Sequence, residues 1–177
     1  REQLAPITAL ALSPDGRTLA VARFGRIEFI ESVLQEKFRS IDNLPGKINA
    51  LSYSSDGSQL VAATGITGLY GRADLYTASG DKLLHSFVGH RDIVTDAELS
   101  PDGELLATCS YDRTIMVWRV RDRRKLHEIT GHNGAVFDIE FSPDGTVLAS
   151  ASADETVKLW SVADGQRLDT LSQPQAE

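Results

Sequence analysis

Apolar residues occur along this chain in short bursts with an alternating rhythm. Ile7, Ala9 and Ala11 stand among Leu10 and Leu12, and the same kind of burst returns at Ile48, Leu51 and Tyr53, at Val94, Ala97 and Leu99, and at Val136, Ile139 and Phe141. A second short run follows each: Leu19-Ala20-Val21, Leu60-Val61-Ala62, Leu105-Leu106-Ala107 and Val147-Leu148-Ala149. Third runs such as Thr114–Trp118 and Thr156–Trp160 come next, and a more polar segment such as Gln166–Leu171 closes the unit. No segment sustains a helical period. Short alternating runs separated by polar turns predict strands, and the chain is expected to be all-β.

One tetrapeptide punctuates the pattern. It reads Ser13-Pro14-Asp15-Gly16, Ser54-Ser55-Asp56-Gly57, Ser100-Pro101-Asp102-Gly103 and Ser142-Pro143-Asp144-Gly145, at spacings of 41, 46 and 42 residues. Pro presets φ, Asp bonds the backbone ahead of it and Gly accepts a positive φ, so each copy predicts a tight turn between the first two strands. Four units follow, with expected bounds of about 6–42, 43–87, 88–129 and 130–171. Each is a four-stranded antiparallel meander, apolar on both faces of its inner strands. Such a sheet cannot bury its own faces and must stack on copies of itself.

The 177 residues carry a net charge of -7, which disfavours a general nucleic-acid or anionic-membrane binder. The basic run Arg119, Arg121, Arg123, Arg124, Lys125 is interrupted by Asp122 and reads as a solvated turn. A single cysteine, Cys109, excludes a disulfide within the chain, and no apolar run reaches membrane-spanning length. Residues 1–6 have no signal-peptide pattern and no initiator Met, as expected of a processed or excised piece. The compartment, cytoplasmic or periplasmic, stays open.

The third unit combines Gly89-His90, the turn at residues 100–103, Thr108, Asp112 and Trp118. The fourth combines Gly131-His132, the turn at residues 142–145, Ser150, Asp154 and Trp160. On these residues the chain resembles the WD40 repeat family, although the dipeptide that names the family is absent: Arg119 follows Trp118 and Ser161 follows Trp160. The resemblance implies β-propeller blades. It also implies a buried hydrogen-bond tetrad in each of these units, Asp112–His90–Thr108–Trp118 and Asp154–His132–Ser150–Trp160. The finer flavour is bacterial, similar to WD40 arrays that follow c-type haem domains, though Cys-x-x-Cys-His is absent. The first two units lack the pattern. Gly25 and Ile30 stand near the Asp and Trp positions of the first, Tyr76 stands near the Trp position of the second, and both units are expected to rely on packing alone. A glycine-rich insertion, Thr64–Gly71, is expected to form a loose loop, and this half of the chain to be locally more mobile.

The family implies partner binding at one end of the channel, on the loops ahead of each innermost strand and between the second and third strands. Transferred here, this picks Tyr111, Ala153 and Phe24, with Arg91, Asp92, Asn133 and Gly134. The expected function is a non-catalytic scaffold for a protein or peptide partner, without cofactor, metal site, nucleic acid or membrane. The alternative is a sensing or accessory domain of a redox or other catalytic protein. The histidines and turn aspartates belong to separate units, which argues against a metal site. Asp96 and Asp138 hold equivalent places in innermost strands, where they either face the channel or bond a neighbouring unit. Cys109 is expected to be buried and inert. Family propellers usually close with seven or eight blades. Four whole units therefore leave three outcomes: a segment of a longer propeller, two copies closing an eight-bladed ring, or a lone arc or strained ring. The tail Gln173–Glu177 reads as a connector.

Overall fold

A computed structural model describes residues 5–34 and 36–172, which form four sheets of four antiparallel strands. The first blade holds β1 (Ile7–Leu12), β2 (Thr18–Arg23), β3 (Arg26–Glu31) and β4 (Glu36–Ile41). The second holds β5 (Lys47–Tyr53), β6 (Gln59–Ile66), β7 (Tyr70–Thr77) and β8 (Leu83–His90). The third holds β9 (Val94–Leu99), β10 (Leu105–Ser110), β11 (Ile115–Arg119) and β12 (Arg124–Ile129). The fourth holds β13 (Val136–Phe141), β14 (Val147–Ser152), β15 (Thr156–Ser161) and β16 (Arg167–Ser172). Strand order within each sheet follows the sequence, and β8 runs past the expected boundary at residue 87. The expected connector at 173–177 lies outside the described residues.

The four turns share one construction. In the first, Ser13 Oγ donates to Asp15 Oδ1 at 2.6 Å and accepts the Thr18 amide at 2.9 Å, and Gly16 has φ 70°. Ser54, Ser100 and Ser142 make the same pair of bonds in the other turns. The turn serine therefore satisfies the first amide of the second strand, which is why the motif marks the strand boundary so sharply.

The innermost strands β1, β5, β9 and β13 lie side by side in chain order, and the core consists of three layers between consecutive blades. Met116 and Trp118 pack with Ala73 and Leu75 of the preceding blade. The opposite face of the same sheet, with Ala107, Ile115 and Val117, packs with Ile139, Phe141 and Trp160 of the next. Stacking thus has a direction: the Trp-bearing face of each blade always meets the blade before it. Tyr76 obeys the same rule against Ala20, Ile27 and Phe29. Among the described residues nothing stacks on that face of blade one, which exposes Leu10 and Leu12, and blade four exposes Val157 and Leu171 on the other.

Two expectations are corrected. Residues 64–71 do not form a loose loop. β6 and β7 continue their pairing to Ile66↔Tyr70, so the insertion is a hairpin extension with a turn at its tip. Its glycines are needed for close approach. A Cβ on Gly65 would stand 2.8 Å from the Ile93 Cα, and one on Gly71 would overlap the Asp92 carbonyl oxygen. Nor do blades one and two rely on packing alone. Asp74 is fully buried, paired with Arg72 at 2.7 Å and accepting Ser86 Oγ at 2.6 Å, with the Tyr76 hydroxyl at 3.5 Å. In blade one, Glu28 gathers Arg23 at 3.3 Å, Arg26 at 3.5 Å and Lys37 at 2.9 Å. Both carboxylates occupy the strand position held by Met116 in blade three, so ion pairs stand where the tetrad pattern is missing.

Candidate functional site

In blade three the depressed pKa of Asp112 defines the protons. Burial opposes its charge, yet bonds from His90, Thr114 and the Arg91 amide hold the carboxyl well below its usual range. An ionised Asp112 only accepts, so His90 Nδ1 donates to it, at 3.0 Å. His90 Nε2 then accepts Thr108 Oγ1 at 2.8 Å, and Thr108 Oγ1 accepts the Trp118 indole N–H at 3.0 Å. Blade four repeats the chain: His132 Nδ1 to Asp154 at 2.8 Å, Nε2 to Ser150 Oγ at 2.8 Å, and Trp160 to Ser150 at 2.8 Å. Burial again opposes the Asp154 charge, and bonds from Thr156, the Asn133 amide and His132 overcome it. The structure brings together the eight residues of the two expected tetrads.

Each tetrad has a further member. Thr114 Oγ1 and Thr156 Oγ1 donate to the remaining oxygen of Asp112 and Asp154, both at 2.6 Å. The signal was in the sequence, since each follows its aspartate by two residues. The tetrads also fix the loops above them. Asp112 Oδ2 accepts the Arg91 amide at 2.8 Å, and Asp154 Oδ2 accepts the Asn133 amide at 2.9 Å. The buried network therefore sets the shape of the loop surface.

On that surface Tyr111 is 42% exposed and packs edge to face on Phe137, itself 48% exposed, at 5.9 Å. Sequence reasoning missed Phe137. It sits at the bulge of its innermost strand, in the place held by Asn49 and Thr95 in the two preceding blades. Those two side chains bond across to the next blade: Asn49 Nδ2 to the Val94 carbonyl at 2.8 Å and Thr95 Oγ1 to the Val136 carbonyl at 2.6 Å. Aligning the four units at this position makes the aromatic stand out.

Arg91, Asn133 and Ala153 are exposed beside these loops, and Phe24 is exposed in the corresponding turn of blade one. Asp92 is occupied internally, accepting the Gly68 amide at 2.9 Å and the Ile93 amide at 2.7 Å. Gly134 has no room for a side chain, because a Cβ would lie 2.7 Å from the Asp154 nitrogen.

Cys109 is buried against Thr95, and burial pushes its thiol far up, out of reach as a nucleophile at neutral pH. Asp96 does bond a neighbouring blade: its Oδ2 accepts the Ile139 amide at 3.2 Å, and Glu98 Oε2 accepts the Phe141 amide at 2.9 Å. Burial raises both carboxyls to about 7, with the Asp138 and Glu140 carboxylates adding to the effect. Among the described residues no group of three or more His, Cys, Asp or Glu is placed to hold a metal ion.

The family model described as WD domain, G-beta repeat matches residues 81–119 and 123–161, which span both tetrads. These are WD40 repeats. The WD40 repeats of RRP9 form a solved structure to which 97% of this chain superposes with a TM-score of 0.83, at 22% identity and over 52% of that chain. A WD repeat-containing protein, SL1-17 of Schistosoma mansoni, is 42% identical over 65% of this chain and 37% of its own. A second relative, sll1491 of Synechocystis, is 34% identical over 63% of this chain and 31% of its own. The serine-threonine kinase receptor-associated protein of Rattus norvegicus is 29% identical over 64% of this chain and 31% of its own. The chain thus spans about a third of the length of these curated relatives. The WD40 likeness extends to eukaryotes and a cyanobacterium alike and singles out no bacterial type.

Proposed function

We propose that the chain is a non-catalytic scaffold that receives a protein or peptide partner on the loop end above its two tetrads. WD40 repeats generally serve as interaction surfaces rather than catalysts. Here the groups with chemical potential, His90, His132, Asp112 and Asp154, are consumed by internal hydrogen bonds. The observation that carries the reading is the half-exposed Tyr111–Phe137 pair, held over a rigid network beside Arg91 and Asn133. Aromatic and Arg side chains on a preorganised surface are the usual anchors of protein interfaces. Contact is assigned to Tyr111, Phe137, Arg91, Asn133 and Ala153, with Phe24 as the counterpart in blade one. Asp92 and Gly134 shape the loops. No feature of this surface favours the sensing or accessory alternative.

Peptides selected from a displayed library against the chain provide the test. Tyr111→Ala, Phe137→Ala and Arg91→Ala should each weaken the selected peptides about tenfold or more, with Tm unchanged. Peptides indifferent to all three, or variants that lose binding and stability together, would count against the assignment.

A second reading concerns assembly. Blade one and blade four each present an apolar face that the interior blades bury. Two copies placed end to end would cover all four such faces and close an eight-bladed ring. Sedimentation decides this: a stable monomer at high concentration sinks it.

A further inference from the structure

The join between blades three and four has a polar clasp. Asp96 and Glu98 reach across from β9 and accept the edge amides of Ile139 and Phe141 in β13, while the Ile139 and Phe141 side chains are 3% and 5% exposed. The Asp-x-Glu spacing fits because alternate amides of an edge strand point the same way, away from the paired neighbour. Ala50 and Ser52 hold the equivalent places in blade two and Ala9 and Ala11 in blade one, so the earlier joins have no such clasp. Blade four repeats it. Asp138 and Glu140 occupy the places of Asp96 and Glu98 on the outer face of the blade; both are exposed, and the Asp138 carboxyl also shares a hydrogen bond with Asp96.

The matching receptor is at the other end of the molecule. Leu10 and Leu12 have the register places of Ile139 and Phe141: Leu10 pairs with Val21 and Leu12 with Leu19 in β2, as Ile139 pairs with Ser150 and Phe141 with Leu148 in β14. Their side chains are 63% and 55% exposed, where the blade-four equivalents are almost fully covered. Charge agrees as well. Arg23, Arg26 and Lys37 outnumber their partners Glu28 and Asp42 on the blade-one face, and Asp138, Glu140 and Asp169 share the blade-four face.

We infer that Asp138 and Glu140 are the clasp for a second copy of this chain, accepting the Leu10 and Leu12 amides of its blade one. This rests on the end-to-end assembly described above and names the groups that would join it. A carboxylate bond to a backbone amide is charge-assisted and intolerant of truncation. Asp138→Ala/Glu140→Ala should therefore raise the dimer dissociation constant about tenfold or more for each bond lost, read by sedimentation, with the variant monomer still unfolding cooperatively. Because both residues are exposed in the monomer, the variant should fold. As a second arm, the Asp138→Cys and Leu10→Cys proteins are mixed under oxidising conditions and should form a cross-linked heterodimer. The intrachain pair Asp96→Cys/Ile139→Cys calibrates the geometry. A wild-type chain that stays monomeric overturns both the assembly and the clasp. A wild-type dimer unaffected by the alanines, or without the cross-link while the calibrating pair closes, leaves the assembly standing and overturns the clasp.

Discussion

Thr108 and Ser150 are the residues on which each tetrad turns, because one hydroxyl serves two partners. Replacing Thr108 by Val keeps the shape and removes that hydroxyl. His90 Nε2 and the Trp118 indole N–H are then both left unpaired in a dry layer. Unfolding by urea should show a loss of about 1–3 kcal/mol; an unchanged midpoint would mean that the network only decorates the core. Blade two shows how the sequence can mislead at this scale. Its Ala62 has the place of Thr108, which seemed to leave only packing. The buried Asp74, with the partly exposed Arg72 and Ser86, forms a separate set in the same layer. The tetrads were legible because four residue types recur at fixed offsets. The Asp74 set was not, because only blade one shares it, with Arg26, Glu28 and Ser40 at the matching places and a different carboxylate.

At the scale of elements, alternation and the serine-bearing turn were enough to place the strands, since both are local consequences of backbone hydrogen bonding. The insertion at residues 64–71 was misread because glycine has two uses. It loosens a loop, or it lets two backbones touch, and only the neighbour decides which. Here the neighbour is Asp92 and Ile93, the segment leading into blade three. Gly71→Ala should therefore lower stability by about 1–3 kcal/mol and release hydrogen-exchange protection in β7 and β9. Gly16→Ala, at φ 70° with nothing within 4 Å, should cost only the backbone strain of about 1–2 kcal/mol and leave that protection intact. Equal behaviour of the two variants in hydrogen exchange would contradict the close-packing role. Phe137 was invisible for a related reason. An aromatic in an alternating strand reads as core until the bulge shows that it points outward.

For the whole molecule, two sets of carboxyls act on stability in opposite senses. Asp96 and Glu98 titrate near 7 when folded and near 4 when unfolded. Between those values the folded chain holds the extra protons, so stability declines as pH rises from about 4 to about 7 and then levels. Asp112 and Asp154, held below their usual range, add stability at higher pH and lose it only below the ordinary carboxylate range. Thermal melts should accordingly be highest in mildly acidic buffer. Asp96→Asn/Glu98→Gln, which keeps a carbonyl acceptor for each amide, should flatten the decline toward neutrality; a double variant with the wild-type profile would refute this account. The sequence raised Asp96 as a contact between blades without revealing its proton, because burial by a neighbouring sheet is a property of the stack alone. The common orientation of the Trp-bearing faces has a consequence of its own. A pile of such sheets is a polar object, with unlike head and tail, so copies that continue the pile add in sequence, head on tail. If the curvature does not return to its start, the same contact that seals a circle propagates into a fibre.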